Sequence, residues 1–495
     1  MATRPACLHE AGGTYARSMT ARFDAAVVGS GPNGLAAAIT LARAGRSVVV
    51  LEANEAIGGA ARSSELIEPG VTHDIASAIH PMVMASPFFT EITNELKRHG
   101  LRWVVPPAAA AHPLDDGGAA VAWNDLDRTV EGLGIDGPAY RRFYQPWVDN
   151  SDALLDLALN PIVRVPKKPL FSARFAATAA IPARTLARRL WETDEAQALW
   201  AGHVGHSILP LTAPFTSSFG IMFTTLAHSV GWGFPEGGAG RIVDAMAALL
   251  LELGGEIRTG RRVGSLDDIP PADATILSLS PHQVDDIAGD TFRPSFRKQL
   301  QGWKYGAGAW KVDYVLDEPI PWRNPEVAQA GTVHLGGTLD EINRAETAIA
   351  DGQLTDTPFV LLAQHTNFDT TRAPEGTHTV WAYCHVPNGC TVDRTEAIES
   401  QIERFAPGFK DTIRGRHASS PQDLQTQNAN LVGGDVGGGS YAGRQLFLRP
   451  RPHPRPFDTP DPRLFIGSAS TTPGAGVHGM AGRGAALRAL KTTLA

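Results

Sequence analysis

Residues 24–62 read DAAVVGSGPNGLAAAITLARAGRSVVVLEANEAIGGAAR, and that order leaves few folds open. An apolar run at 25–28 enters the turn Gly29-Ser30-Gly31-Pro32-Asn33-Gly34, of the form G-x-G-x-x-G. An alanine- and leucine-rich helical stretch follows to Ala44, Gly45 ends it, and a second apolar run at 48–51 stops at Glu52. The layout is that of a strand–helix–strand unit that receives a dinucleotide. Gly29 permits the tight turn, Gly31 lets backbone N–H groups approach a pyrophosphate, and Gly34 lets helix and strand pack closely. The helix start, with Pro32 and Asn33, turns its positive dipole end toward the phosphates. Glu52 follows Gly34 by 18 residues. There a carboxylate accepts hydrogen bonds from an adenosine ribose diol and repels a 2′-phosphate, so NADP is disfavoured. Ala53 completes this corner of the expected contact set.

The residues just after this unit bear on which dinucleotide it takes. Residues 55–63, Glu55-Ala56-Ile57-Gly58-Gly59-Ala60-Ala61-Arg62-Ser63, add a glycine pair and an arginine. Taken alone, this stretch also reads as a plain surface turn. With the first motif it resembles the G-G loop of FAD-dependent oxidoreductases of the amine oxidase and phytoene desaturase superfamily. In that superfamily the loop runs beside the flavin's pyrophosphate and ribityl chain. The far C-terminus adds Arg463-Leu464-Phe465-Ile466-Gly467-Ser468, then Ala469-Ser470-Thr471-Thr472-Pro473-Gly474-Ala475-Gly476-Val477-His478-Gly479-Met480. It reads as a short strand, a glycine-rich turn and a helix starting near Val477. It is similar to the closing flavin-binding segment of carotenoid desaturases, which implies flavin contacts from Ser468, Gly474, Gly476 and Val477. A helix end aimed at the flavin would stabilise the anionic reduced ring. Many carotenoid-type relatives have a histidine just before this proline, where this chain has Thr472, so no role for that histidine carries over.

The resemblance spans almost the whole chain. Segments 73–81 (HDIASAIHP), 231–240 (GWGFPEGGAG), 311–314 (KVDY) leading to Pro321-Trp322, 381–388 (WAYCHVPN) and 433–440 (GGDVGGGS) all contribute. They point to the phytoene-dehydrogenase-related branch that includes the pyridine nucleotide-disulfide oxidoreductase domain-containing proteins. The disulfide of that name has no counterpart in this sequence. The cysteines are Cys7, Cys384 and Cys390, with no C-x-x-C after the glycine motif and no histidine cluster at metal-ligand spacing.

The resemblance implies an α/β fold: a Rossmann-like FAD-binding domain of the glutathione reductase type with an inserted α+β substrate domain. The expected FAD domain collects residues 22–82, 226–290 and 455–495. The expected substrate domain collects 83–225 and 291–454. Residues 241–251 read as an amphipathic helix leading to strand–turn–strand segments at 256–263 and a buried strand at 274–279. In the relatives this region passes the adenine, which implies a backbone contact from Val263. Residues 1–21 lack an apolar signal core and read as a disordered leader, or as an over-extended start with Met19 as initiator. Glycine-rich 433–439 has no flanking strand–helix pattern and reads as a loop near flavin or substrate. No second dinucleotide fingerprint is present, so NADH and NADPH have no dedicated site.

Composition sets outer bounds. With 495 residues and 43% hydrophobic content, the chain can bury a large two-domain core. A net charge of −7 argues against nucleic acid as the main partner. Three cysteines fit a reducing, cytoplasmic setting. No apolar run of about 18 residues is present to span a membrane.

Several residues carry two readings. Lys311 is either a catalytic lysine that holds a water near the flavin, as the amine oxidase resemblance implies, or a surface lysine at a strand start. His73, His80, His385 and His478 are each either chemical or, more commonly for lone histidines, structural. Tyr441 and Trp310 are either channel walls or core. Residues 161–190 contain Arg164, Lys167, Lys168, Arg174, Arg184, Arg188 and Arg189 with no acid. This segment is either a solvated helix face, which charge runs usually are, or a contact for an anionic membrane. Apolar 208–223, broken by Pro210 and Pro214, suits a substrate tunnel.

The expected activity is FAD-dependent hydride removal from a hydrophobic, polyene- or lipid-like substrate. Amine oxidation, redox-neutral isomerisation or saturation, and a low-turnover flavin-bound regulatory role are the alternatives.

Overall fold

A computed structural model describes residues 21–161, 166–451 and 453–495. The expected leader, apart from Ala21, lies outside the described residues, as do Cys7 and Arg164.

The opening motif folds as its composition dictates. Phe23–Val28 is a strand, Pro32–Arg43 a helix with proline in its first turn, and Val48–Leu51 a second strand. These strands lie at the middle of a five-stranded parallel sheet. Its order is Leu464–Ile466, Ala272–Leu277, Phe23–Val28, Val48–Leu51, Glu256–Arg258. Strands far apart in sequence thus meet in one sheet. Both faces are covered, which explains the near-continuous apolar runs. Ala25, Val27, Val48 and Val50 pack on one side, and Ala26, Val28, Val49 and Leu51 on the other.

The second sheet has seven strands in the order Ile413–Ser419, Gly308–Leu316, His378–Val386, Val360–Ala363, Ala330–Leu335, Ala108–Pro113, Ala119–Trp123. Its pairs are antiparallel except Ala330–Leu335 with Ala108–Pro113. Alternation along Gly308–Leu316 decides the two faces. Trp310, Val312, Tyr314 and Leu316 enter a core with Ile398, Ile402 and Phe405 of the helix Thr395–Phe405. Ala309, Lys311 and Asp313 point the other way, toward the first sheet.

The structure corrects three local expectations. The last helix begins at Met480, not near Val477, because Gly479 sits in the left-handed region at φ +69. The His478 ring accepts the Met480 N–H at 3.0 Å. Residues 261–263 form no strand; the edge strand stops at Arg258. The buried strand expected at 274–279 runs Ala272–Leu277.

The helices Pro32–Arg43 and Met480–Lys491 touch through backbone. A Cβ on Gly482 would lie 1.7 Å from the Asn33 carbonyl oxygen. Gly482→Ala is therefore expected to destabilise the fold by about 3 kcal/mol or more, since neither backbone can yield without moving a helix. Urea unfolding measures this; unchanged stability would contradict the packing described.

Candidate active site

A cavity of about 780 Å³ runs from the glycine turn of the first sheet to the inward face of the second. Gly29, Gly31, Pro32, Asn33, Glu52, Ala53, Gly59, Val263, Ser468, Gly476 and Val477, all expected from the sequence, line it. Gly34, Gly58, Arg62 and Gly474, also expected, do not, and each has another task.

The glycine turn separates into scaffold and opening. A Cβ on Gly34 would meet the Gly29 carbonyl oxygen at 1.9 Å, so Gly34 serves helix–strand packing. A Cβ on Gly31 would meet no protein atom nearer than the Gly59 Cα at 3.8 Å. The space beside Gly31 belongs to the cavity, where backbone N–H groups can approach an anion. Gly58, at φ +113, is pressed against Val243 and Arg62. Arg62 spends its guanidinium on the carbonyls of Gly59 at 3.0 Å and Gln427 at 2.8 Å, which locks the loop instead of reaching the cavity.

Glu52 is tied into the same corner. One carboxylate oxygen accepts the Ser30 N–H at 2.9 Å and the Ser30 hydroxyl at 2.6 Å; the other accepts the Asn54 N–H at 2.9 Å. The buried carboxylate still lines the cavity, so its remaining lone pairs face a ligand. Pyrophosphate-sized room at Gly31 and a fixed acceptor at Glu52 fit an adenine dinucleotide.

At the closing end, Ala475, Gly476 and Val477 line the cavity, and the Tyr441 hydroxyl accepts the Ala475 N–H at 3.0 Å. What faces the cavity is this loop, not a helix N-terminus. His478 is structural: its Nε2–H donates to the Gly474 carbonyl at 3.1 Å, its Nδ1 caps Met480, and burial pushes its pKa down to about 4.

Lys311 is no surface residue. It stands in mid-strand, 2% exposed, lines the cavity and bonds to Asp313 two residues on. Asp313 is fully buried; burial raises its pKa and Lys311 opposes that rise. His73 lies 3.7 Å from Asp313 and falls to about 4, through burial first and the Lys311 charge second. His80 also lines the cavity, holding the Ser77 hydroxyl at 2.8 Å, and burial takes it to about 4. His385 is paired with buried Glu346 at 2.8 Å, away from the cavity. Tyr441 is a cavity wall, whereas Trp310 belongs to the opposite core.

Sequence reading missed the support under loop 433–440. Asp435 accepts the N–H groups of Gly306, Gly437 and Gly439. Buried Arg449 bonds the carbonyls of Gly437, Gly438 and Gly439 and stacks on Tyr441 at 4.5 Å. Gly437 and Gly438 thereby form cavity wall. An Asp flanked by glycines was the available signal; Arg449 left none.

From 208–223, Ile208, Phe215, Phe219, Met222 and Phe223 line the chamber, as does Phe175 of the helix Pro169–Ala179. Within 161–190, Lys167 pairs with Asp156, Lys168 bonds Asn150, Arg174 stacks on Trp147, and Arg184 and Arg188 share Asp340. Leu170 beside them is 89% exposed.

The fold is a mixed α/β arrangement built on a parallel Rossmann-like sheet, and an NAD(P)-binding Rossmann-like domain model matches residues 27–96. The architecture follows that of a solved putrescine oxidase variant, with TM-score 0.60, 18% identity, and 94% of this chain and 98% of that one covered. The sequence relatives include desaturases, and the solved structures that share the fold include amine oxidases. The chain's homologues include the pyridine nucleotide-disulfide oxidoreductase domain-containing protein 2 of Rattus norvegicus, 26% identical, covering 94% of this chain and 92% of the relative. They also include the lycopene-forming phytoene desaturase of Pseudescherichia vulneris, 25% identical over 56% of this chain and 59% of the relative.

The two glycines of the turn make opposite predictions. Gly31→Val is expected to fold with unchanged apoprotein melting but to lose FAD uptake, because its side chain fills only ligand space. Gly34→Ala is expected to lose about 3 kcal/mol or more of stability. Equilibrium dialysis with FAD and thermal melting check the pair; normal FAD uptake by Gly31→Val would remove the pyrophosphate from this position.

Proposed function

We propose that this chain is an FAD-dependent oxidoreductase that removes a hydride from a C–H bond of a hydrophobic, polyene- or lipid-like substrate. The observation that carries the reading is the continuity of one cavity from Gly31 and Glu52 to an apolar chamber with Lys311 in its wall. Among the residues present, the Gly31 opening, Glu52 and the 475–477 loop would hold FAD. Bound flavin supplies a two-electron acceptor.

The chain's own share is positioning, water exclusion and proton handling. Phe215, Phe219, Met222, Phe223, Leu361 and Ala363 offer an apolar bed that orients a chain-like substrate without directional bonds. Desaturation removes a hydride from one carbon and a proton from its neighbour. The Lys311–Asp313 couple is the buried titratable pair at the wall where that proton can be taken up. His80, also on the cavity wall, stays neutral at pH 7. Amine oxidation is less suited: an ammonium would meet Lys311, and Glu52 is the one carboxylate among the described cavity-lining residues. Among the described residues disulfide chemistry finds no couple, since buried Cys384 and partly exposed Cys390 are both free.

The protein is expected to bind one FAD per chain and to bleach anaerobically with carotenoids or unsaturated fatty acids but not with amines. Lys311→Met is expected to keep FAD and slow bleaching roughly 100-fold, the usual scale for a proton-transfer group. Folded protein that takes up no FAD would sink the reading. An isomerised product without net bleaching would move it to redox-neutral catalysis, and a bound partner protein without any turnover to a regulatory role.

Entry of such a substrate favours a contact between the helix Pro169–Ala179 and anionic lipid, because one side of this helix lines the chamber while Leu170, Lys167 and Lys168 stand exposed. No helix among the described residues is long and apolar enough to cross a membrane. The expected result is flotation with anionic liposomes at low salt, weakened by salt and by combined Lys167→Glu, Lys168→Glu and Arg174→Glu changes. Absence of flotation at low salt would return the segment to a solvated helix face.

A further inference from the structure

One wall of the chamber, away from Lys311, is not wholly apolar. Strand register gives the distance. Lys311 pairs with Tyr383, Tyr383 with Leu361 and Leu361 with His334, so all four project from one face of the sheet. Three strand spacings separate Lys311 from His334, about 14 Å. In the next row Asp313, Trp381, Ala363 and Thr332 follow the same course. Between the two ends the cavity wall is Tyr383, Trp381, Leu361 and Ala363.

At the far end His206 lines the cavity between Phe223 and Trp232, with ring centroids 4.7 and 5.3 Å away. Its Nε2 meets Nε2 of His334 at 3.0 Å. Gly202 leaves the space for that ring, since a Cβ there would lie 2.5 Å from His334 Nδ1. Thr332, 4% exposed, also lines the cavity, and its hydroxyl has no hydrogen-bond partner within the protein. Nδ1 of His334 and Nε2 of neighbouring His203 are likewise buried without one. Neither of these two rings lines the cavity, but the Thr332 hydroxyl does, and buried polar atoms are nearly always satisfied, so that hydroxyl asks for a ligand atom.

We infer that this end is a subsite for a hydroxyl group carried by the substrate about 14 Å from the carbon that is oxidised. The inference rests on the oxidoreductase reading above and narrows its substrate to a chain with a terminal or near-terminal alcohol. A hydroxyl both donates and accepts, so it completes the Thr332 hydroxyl whichever way that rotor turns; the His206–His334 contact, whose two Nε2 atoms satisfy each other, fixes the His206 ring in the wall. A carboxylate does not fit. The Lys and Arg residues among the described cavity lining are Arg261, Arg262 and Lys311, none of them here. Burial also holds His206 and His203 neutral, at about 3. A bare hydrocarbon end would leave the Thr332 hydroxyl unanswered, a cost that sites built for a hydroxyl use to reject its analogue.

The test uses FAD-loaded protein titrated anaerobically with 1-dodecanol, dodecane and dodecanoic acid, reading perturbation of the flavin spectrum. The alcohol is expected to bind roughly tenfold more tightly than the alkane and the acid. Thr332→Val, nearly isosteric, and the Thr332→Val, His206→Phe double change are expected to bring alcohol and alkane within about threefold while alkane binding persists. Equal binding of alcohol and alkane by the unaltered protein, tightest binding of the acid, or undiminished discrimination in Thr332→Val would each overturn the subsite. If FAD is bound yet none of the three ligands perturbs it, the apolar-substrate reading itself fails and takes the subsite with it.

Discussion

Two contacts with no room for a methyl group set the position of the helix Pro32–Arg43, and the cavity depends on that position. On one side Gly34 lies against the Gly29 carbonyl; on the other Gly482 lies against the Asn33 carbonyl. Close backbone approach of this kind is available only to glycine. It holds the helix start at the mouth of the cavity, where free N–H groups and the dipole are most useful to a phosphate. Gly31, between these contacts, is the residue left open to ligand. The Glu52–Ser30 bonds then tie the end of the second strand to the same turn, so strand, turn and carboxylate move as one unit.

Against this rigid dinucleotide corner the second sheet presents a wall whose chemistry changes along its length. Strand alternation puts Lys311 and Asp313 on the cavity side of an otherwise apolar strand. Burying such a pair costs several kcal/mol of desolvation per ion, which mutual attraction offsets only in good geometry, so its value here is not stability. The same sheet carries apolar floor across two strands and then reaches Thr332 and His334, whose ring meets His206 from a helix end. One cavity therefore contains a phosphate-facing corner, a titratable wall, an apolar bed and a hydrogen-bonding end.

The sequence by itself determined the first strand, helix and second strand, and the parallel Rossmann-like sheet, because glycine spacing and apolar runs are local properties. It also singled out most cavity-lining residues of that region, since a motif places them relative to one another within a few turns of chain. It told Gly31 from Gly34 by their places in the motif, but whether protein or empty space lies beyond each Cα is a matter of the folded chain. It gave Arg62 to the ligand, although the carbonyl of Gln427, far away in sequence, takes its guanidinium. It placed the last helix start three residues early, since the left-handed turn at Gly479 and the His478 cap depend on local geometry that composition does not encode.

Only the tertiary structure decided the rest. Lys311 reads as a strand-edge lysine until Tyr383 and Ser419 flank it as central-strand neighbours. Arg449 carries no recognisable spacing and Asp435 only its flanking glycines, yet they shape the glycine loop because buried charges seek backbone partners from whatever segment lies nearby. The polar end of the chamber joins His206, Thr332 and His334 from a helix end and a strand more than a hundred residues apart. Local pattern reports the contacts a chain makes with itself over a few residues; the substrate wall is made of contacts between segments that only folding brings together.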